Sequence, residues 1–282
     1  MTDQHVVAGV QSNTQTDRMH GDPFERWTPT IHDDGSGYDL FGANRDWIQR
    51  LLKVNAFFYE KWFRVASHGI ENVPATGPAI LVANHSGNYP IDGIMIWADL
   101  LRKKTPPRLV RPVAAHFFPT TPFIATLCAR MGVVSGVRTN VDHLLSRGEL
   151  LLIFPEGIKG ITKGFRRRYQ LERFTHGHAE FAIRHQVPLV PVAVVGAEEQ
   201  LPELLGIPYG RFGVKRIPIP VVPFPLPVRY HVHYGEPYDV SRDYPPDAAD
   251  DPGAVEECAS RMNSLVQDLV NAGLKQRKGV FV

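Results

Sequence analysis

Cysteine is nearly absent from this chain. Cys128 and Cys258 are the only two in 282 residues, which excludes a disulfide framework and a cysteine-ligated metal site and fits a reducing compartment. An excess of either charge is also missing: 31 Lys and Arg stand against 29 Asp and Glu, a formal net charge of +2, so any electrostatic partner must be met locally. No hydrophobic run approaches the ~20 residues of a membrane span. The opening stretch, MTDQHVVAGVQSNTQTDRMHGD, lacks a basic region followed by an apolar one, so no signal peptide is expected there. Without such a signal the glycosylation pattern Asn84-His85-Ser86 carries no weight. No recurring period marks a repeat array, and no Gly-x-Ser-x-Gly elbow offers a nucleophilic serine. What is present is 43% hydrophobic content, enough for one large domain with appendages.

One stretch stands out, Ala79 to Gly93, reading AILVANHSGNYPIDG. Its apolar run suits a strand buried on both faces and stops abruptly at Asn84-His85-Ser86-Gly87. Gly87 and Pro90 keep the chain from continuing as strand or helix, so His85 and Asp92 bracket a compact loop that can bring them together. On a helix, residues seven apart lie roughly 10 Å apart along the axis, too far for a hydrogen bond. A base and an acid at the end of a buried strand occupy the place where open α/β sheets put their ligands. The ordinary alternatives are an Asp92 N-cap for the following helix and a backbone-bonded loop histidine.

Along the chain, residues 1–40 read as a poorly ordered polar arm and residues 41–68 as an amphipathic helix segment. Trp47, Leu51, Val54, Phe58, Trp62 and Val65 recur at helical spacing through Asn44 to Ala66, opposite Arg45, Arg50, Lys53, Lys61 and Arg64. Such a helix suits a membrane interface or packing on its own domain. From residue 69 to 282, strand-like and helix-like segments alternate, which predicts an α/β domain with a mixed, largely parallel sheet flanked by helices. A second buried strand, Leu150 to Phe154, breaks at Pro155-Glu156-Gly157. Beyond it Lys159, Lys163, Arg166, Arg167, Arg168 and Arg173 crowd a glycine-broken segment that can hold phosphate-like anions or form a solvated charged face. No nucleic-acid recognition motif accompanies it, so nucleic acid is not expected as a partner. The proline-spaced Ile217 to Val228 cannot form a central strand and is expected as a lid, an edge segment or a membrane-contacting loop.

Four pieces in order resemble the blocks of the glycerolipid and lysophospholipid acyltransferase superfamily: Asn84-His85 through Asp92-Gly93, Gly132 through Arg138, Phe154-Pro155-Glu156-Gly157, and Val190-Pro191-Val192. The similarity spans roughly Gly69 to Gly196. Two features depart from the common pattern. Six residues, Ser86 to Ile91, separate His85 from Asp92 where most members have four, a longer loop that resembles a branch acting on monoacylglycerol or other alcohols. Ile158-Lys159 follows the Phe-Pro-Glu-Gly block where phosphate-accepting members often have Thr-Arg or Thr-Ser. The resemblance implies the superfamily's α/β fold and transfer of a fatty acyl group from acyl-CoA, or from an acyl carrier protein, to a lipid hydroxyl. His85 is then the general base and Asp92 its partner, with no acyl-enzyme and neither metal nor other cofactor. Arg138, Glu156 and Gly157 are then acceptor-positioning groups, and Lys159, Lys163, Arg166 and Arg168 candidates for an anionic group. The implied setting is cytoplasmic, peripheral to the inner face of the membrane. A thioester hydrolase using the same pair, and a noncatalytic lipid-binding protein, are the alternatives.

Overall fold

The computed structural model describes residues 31–33, 35–86, 90–114, 123–211 and 214–282. The expected arm before Ile31, and Gly87, Asn88 and Tyr89 of the central loop, lie outside them. Asn44 caps the first helix by accepting the Trp47 N–H at 3.0 Å. That helix, α1 (Arg45–Phe57), passes into a π-helical turn at Phe58–Trp62. It does not reach Ala66 as its periodicity predicts. Arg64 takes φ 44°, outside the helical region, and its guanidinium is held by the Trp62 and Pro227 carbonyls at 2.7 and 2.8 Å, which turns the chain into β1 (Ala66–His68).

There follow β2 (Ala79–Ala83), α2 (Ile91–Lys103), β3 (Val110–Ala114), α3 (Ile124–Met131), β4 (Val134–Ser135), α4 (Arg138–Ser146), β5 (Leu150–Ile153), α5 (Ile158–Thr162), α6 (Gly177–His185), β6 (Leu189–Val195), β7 (Glu203–Arg211), β8 (Val214–Pro220), β9 (His231–Tyr234) and α7 (Pro252–Gln276). The main sheet has the order β1-β9-β6-β2-β5-β3-β4. Only β6 and β9 pair antiparallel within it, so the sheet is mixed and largely parallel, as the alternation of segments predicts. β7 and β8 form a separate hairpin; β7 left no alternating pattern to read, and the prolines of the 217–228 stretch keep it out of the main sheet.

β2 lies in the middle with helices on both faces, which is why its five residues are all apolar and all buried. Ala79, Leu81 and Ala83 pack with Ile48, Leu52, Trp97 and Leu100 on one side. Ile80 and Val82 pack with Leu144, Ile183, Met262 and Val266 on the other. The N-terminal helix is thus built into the core through Ile48 and Leu52. Its last turn is tied in by polar contacts as well: the Tyr59 hydroxyl, with those of Ser67 and Tyr234, donates to the buried Asp99 carboxylate of α2 at 2.5, 2.8 and 2.8 Å. Burial raises the Asp99 pKa and these donors oppose the rise.

Where β2 ends, Asn84 continues its pairing with side-chain atoms. Its amide donates to the Val194 carbonyl at 3.1 Å and its carbonyl accepts the Val194 N–H at 2.7 Å, so β6 stays satisfied while the backbone of the next residue is free to turn. Replacing Asn84 with Ala strands both Val194 groups in the interior. Each orphan costs about 1–3 kcal/mol, and denaturant unfolding of Asn84→Ala is expected to show a loss of that order, with no relief in Asn84→Asp, whose buried carboxylate has no proton to give the Val194 carbonyl.

Candidate active site

β2 delivers His85 to the C-terminal end of the sheet, and α2 begins with the acid. His85 Nδ1 lies 2.8 Å from Asp92 Oδ2, with the His85 side chain 16% exposed and Asp92 fully buried. The Ser86 N–H donates to the same oxygen at 2.8 Å, and the Gly93 N–H to Oδ1 at 2.7 Å. Asp92 does not cap α2: Pro90 holds the N-cap position, and Asp92 sits one residue inside the helix, where the partial positive charge of the helix start favours a carboxylate. The end of β2 and the start of α2 therefore bring residues seven apart together, as the spacing requires. The His85 ring also stacks on Phe154, with centroids 4.4 Å apart, and Gly93 faces the same ring, where a Cβ would lie 3.4 Å from it.

With a carboxylate against Nδ1, that nitrogen carries the hydrogen in the neutral ring and Nε2 keeps the lone pair. Burial disfavours charging His85, but the charge and hydrogen bond of Asp92, with Glu156 behind them, outweigh burial and raise the imidazole pKa above 6.5. The arrangement gives a base stronger than free histidine, held in one tautomer.

Glu156 serves this base rather than standing open to a ligand. It is 2% exposed. Its Oε1 accepts the His85 N–H at 2.9 Å and its Oε2 the Glu172 N–H at 2.8 Å. Lys163 Nζ lies 3.6 Å from Oε2 and 3.0 Å from Glu198 Oε1, with its side chain 3% exposed. Gly157, its N–H on the Phe154 carbonyl at 3.0 Å, turns the chain into α5. Gly160 then passes so close that a Cβ would lie 2.8 Å from the Glu156 Cβ and 2.9 Å from the His85 carbonyl oxygen; the glycine admits this contact rather than merely loosening the loop. Glu198 went unmarked in the sequence, although it follows a buried strand as Glu156 does, which is the signal that could have found it. Burial raises its pKa to about 7 against the pull of Lys163.

The remaining charged candidates are dispersed. Arg138 opens α4 and is not joined to Glu156: its guanidinium forks onto Glu180 at 2.5 and 2.8 Å on an exposed face. Arg167 pairs with Glu172 at 2.8 Å, Arg173 with Glu256, and Arg168 lies over the Phe165 ring 4.0 Å from Glu199. Lys159 and Arg166 are exposed.

A family model described as Acyltransferase matches residues 64–195. An uncharacterized protein of Mycobacterium tuberculosis is 34% identical over 255 residues, covering 86% of this chain and 71% of its own. A human protein described as a DGAT1/2-independent enzyme synthesizing storage lipids is 28% identical over 221 residues, 74% of this chain and 62% of its own. The solved structure of the 1-acyl-sn-glycerophosphate (LPA) acyltransferase PlsC from Thermotoga maritima is similar with a TM-score of 0.53 at 19% identity, covering 82% of this chain and 83% of that one, which establishes a shared fold.

Glu156→Gln leaves one acceptor for two N–H donors and points an amide N–H at one of them. Hydrogen bonds to charged groups are worth about 1.5–3 kcal/mol, so denaturant melts are expected to show a loss of that size. The same substitution is expected to lower kcat through a displaced His85, whereas an unchanged kcat with only a raised acceptor KM would show Glu156 contacting the acceptor instead.

Proposed function

Since this chain belongs to the acyltransferase family, within the glycerolipid acyltransferase superfamily, we propose that it moves a fatty acyl group from acyl-CoA, or from an acyl carrier protein, to a hydroxyl of a glycerolipid or lysophospholipid. The observation that carries this reading is the 2.8 Å contact between His85 Nδ1 and the buried Asp92 carboxylate. The acceptor hydroxyl gives its proton to His85 Nε2 as its oxygen attacks the thioester carbonyl. Asp92 stabilises the imidazolium while the C–O bond forms. Collapse of the tetrahedral intermediate breaks the C–S bond, and the thiolate leaves with the proton returned from His85. No protein nucleophile enters the scheme: Ser86, the hydroxyl beside the base, is fully buried with its Oγ 3.4 Å from Asp92, so attack is direct.

The charges around the site favour an uncharged acceptor. Lys163 is committed to Glu156 and Glu198, Arg138 to Glu180 and Arg167 to Glu172, so most of the cations that could grip a phosphomonoester already have carboxylate partners. The relatives described as synthesizing storage lipids and the long loop between His85 and Asp92 support the same choice.

The substrates bring the enzyme to a lipid surface. No helix among the described residues is long and apolar enough to cross a membrane. Peripheral contact instead suits an aromatic patch drawn from two segments: Phe57, 55% exposed, packs on Phe58 and Trp62, and Trp62 meets Phe224, 53% exposed, at 5.5 Å. Trp62 is anchored through Nε1 to the Pro225 carbonyl at 3.1 Å, so the rings that remain exposed are held on a fixed base.

Purified protein with acyl-CoA and a panel of diacylglycerol, monoacylglycerol and lysophospholipid acceptors is expected to form ester only when an acceptor is present; thiol release without acceptor would identify a hydrolase. His85→Ala is expected to lose ~10²–10⁴ in rate while remaining folded by circular dichroism, with a somewhat lower melt because the buried Asp92 loses one donor. Because the base works only when neutral and its pKa is raised, kcat/KM should fall as pH drops, with a midpoint above 6.5. In Asp92→Asn burial is opposed only by Glu156, so the His85 titration followed by NMR is expected to move down.

Flotation with liposomes checks the surface contact. Phe57→Ser combined with Phe224→Ser is expected to reduce the bound fraction while the melting temperature holds, since both rings are already more than half exposed.

A further inference from the structure

Outside the catalytic site, three histidines gather on the last two strands at the β1 edge of the sheet. Parallel pairing sets His68 of β1 opposite His233 of β9, and His231 opposite Ala66. Residues two apart on a strand share a face, so His231 and His233 both present their rings on the side where His68 stands. The rings lie nearly parallel, with His68 and His233 centroids 4.4 Å apart and His68 and His231 centroids 5.6 Å apart. His68 Nε2 is 3.3 Å from His231 Nδ1, and one nitrogen from each of the three rings lies within 4.8 Å of the others.

We propose that His68, His231 and His233 bind one divalent transition-metal ion of the zinc class, tying β1 to β9. Zn–N bonds of about 2.0–2.1 Å in a tetrahedral set place ligand nitrogens about 3.3–3.4 Å apart. The His68–His231 pair already stands at that separation, and the third nitrogen closes the remaining gap by side-chain rotation. Nε2 of both His231 and His233 is buried without a hydrogen-bond partner among the described residues, an uncommon state for a polar interior group, so turning these rings breaks no bond at that atom. On the far side α7 packs closely, since a Cβ at Gly273 would lie 2.7 Å from His233 Nε2, so the ion sits on the side of His68 and His231.

The donor set states the chemistry. Three imidazoles with no carboxylate among them suit zinc, copper or nickel and not magnesium or calcium. His68 is exposed, so the site opens to solvent and a water can complete the coordination. Ligation requires neutral imidazole. Burial, with His68 and His231 beside it, lowers His233 to about 4; burial, His68, Arg229 and Arg277 lower His231. Those arginines also face an arriving cation, but Arg277 is neutralised by Glu199, whose Oε1 it reaches at 2.8 Å.

The test uses the full chain without an affinity tag, stripped with EDTA and titrated with Zn²⁺ by calorimetry, with bound metal counted after gel filtration. One Zn²⁺ per chain is expected, with a rise in melting temperature, and Co²⁺ in its place should give the visible absorption bands of a four-coordinate site. His68→Gln, an exposed position that leaves the core intact, is expected to lose the bound metal, as is the His68→Gln/His231→Gln pair. His85→Ala should retain it, which separates this site from the catalytic histidine. Failure of the wild-type chain to bind micromolar Zn²⁺, or binding by either variant as tight as that of the wild type, would overturn the proposal.

Discussion

A carboxylate with no contact to solvent must be satisfied by donors or give up its charge, and Asp92 is held by three of them at 2.8 Å or less. Two are backbone N–H groups from either side of the central loop, at Ser86 and Gly93, and the third is the His85 ring. Each donor fixes a piece of chain. The Ser86 N–H and the His85 ring reach the same Asp92 oxygen, so the end of β2 is held against the start of α2 and the imidazole is aimed by that contact. The geometry of the His85–Asp92 pair and the local fold are therefore one constraint, set by the need to solvate a buried charge with protein groups.

The same economy extends outward. Glu156 accepts the His85 N–H and fixes the backbone on the far side of the base, while Lys163 sits between Glu156 and Glu198 to balance the acids gathered there. A cation used in this way is no longer available to an anionic substrate. Lys163, part of a phosphate-like string when read in sequence, thus becomes a brace between two acids that follow strands, while Arg167 and Arg173 pair with carboxylates at the surface. The His85 ring stays partly open to solvent, stacked on Phe154.

At the β1 edge of the sheet, histidines recur in another setting. The His85 ring has an acid partner that raises its pKa, whereas His231 and His233 have none among the described residues and are pushed down by burial. One residue type therefore occupies opposite protonation regimes within one sheet. What differs is the neighbour supplied by the adjoining strand or helix, a base–acid pair in the first case and a row of imidazoles in the second.

Local sequence determined a good deal. An unbroken apolar run such as Ala79 to Ala83 has no polar face and so must be covered on both sides; a proline and a polar turn after it must end the strand; and the four blocks in order mark the superfamily. These are properties of neighbouring residues, which periodicity and turn chemistry report directly. Partners distant in sequence were decided by the tertiary structure. Nothing near Arg138 reveals that it meets Glu180 rather than Glu156, and nothing near Lys163 names Glu198. The amphipathic helix reads alike for a core or a membrane until Ile48 and Leu52 are seen inside the domain and Phe57 outside it. His68 and His231 lie 163 residues apart, and only the pairing of β1 with β9 makes them neighbours. Charge and imidazole contacts act over a few ångströms of space, a distance that sequence separation does not encode, so the positions of the site were legible while the pairing of its charges was not.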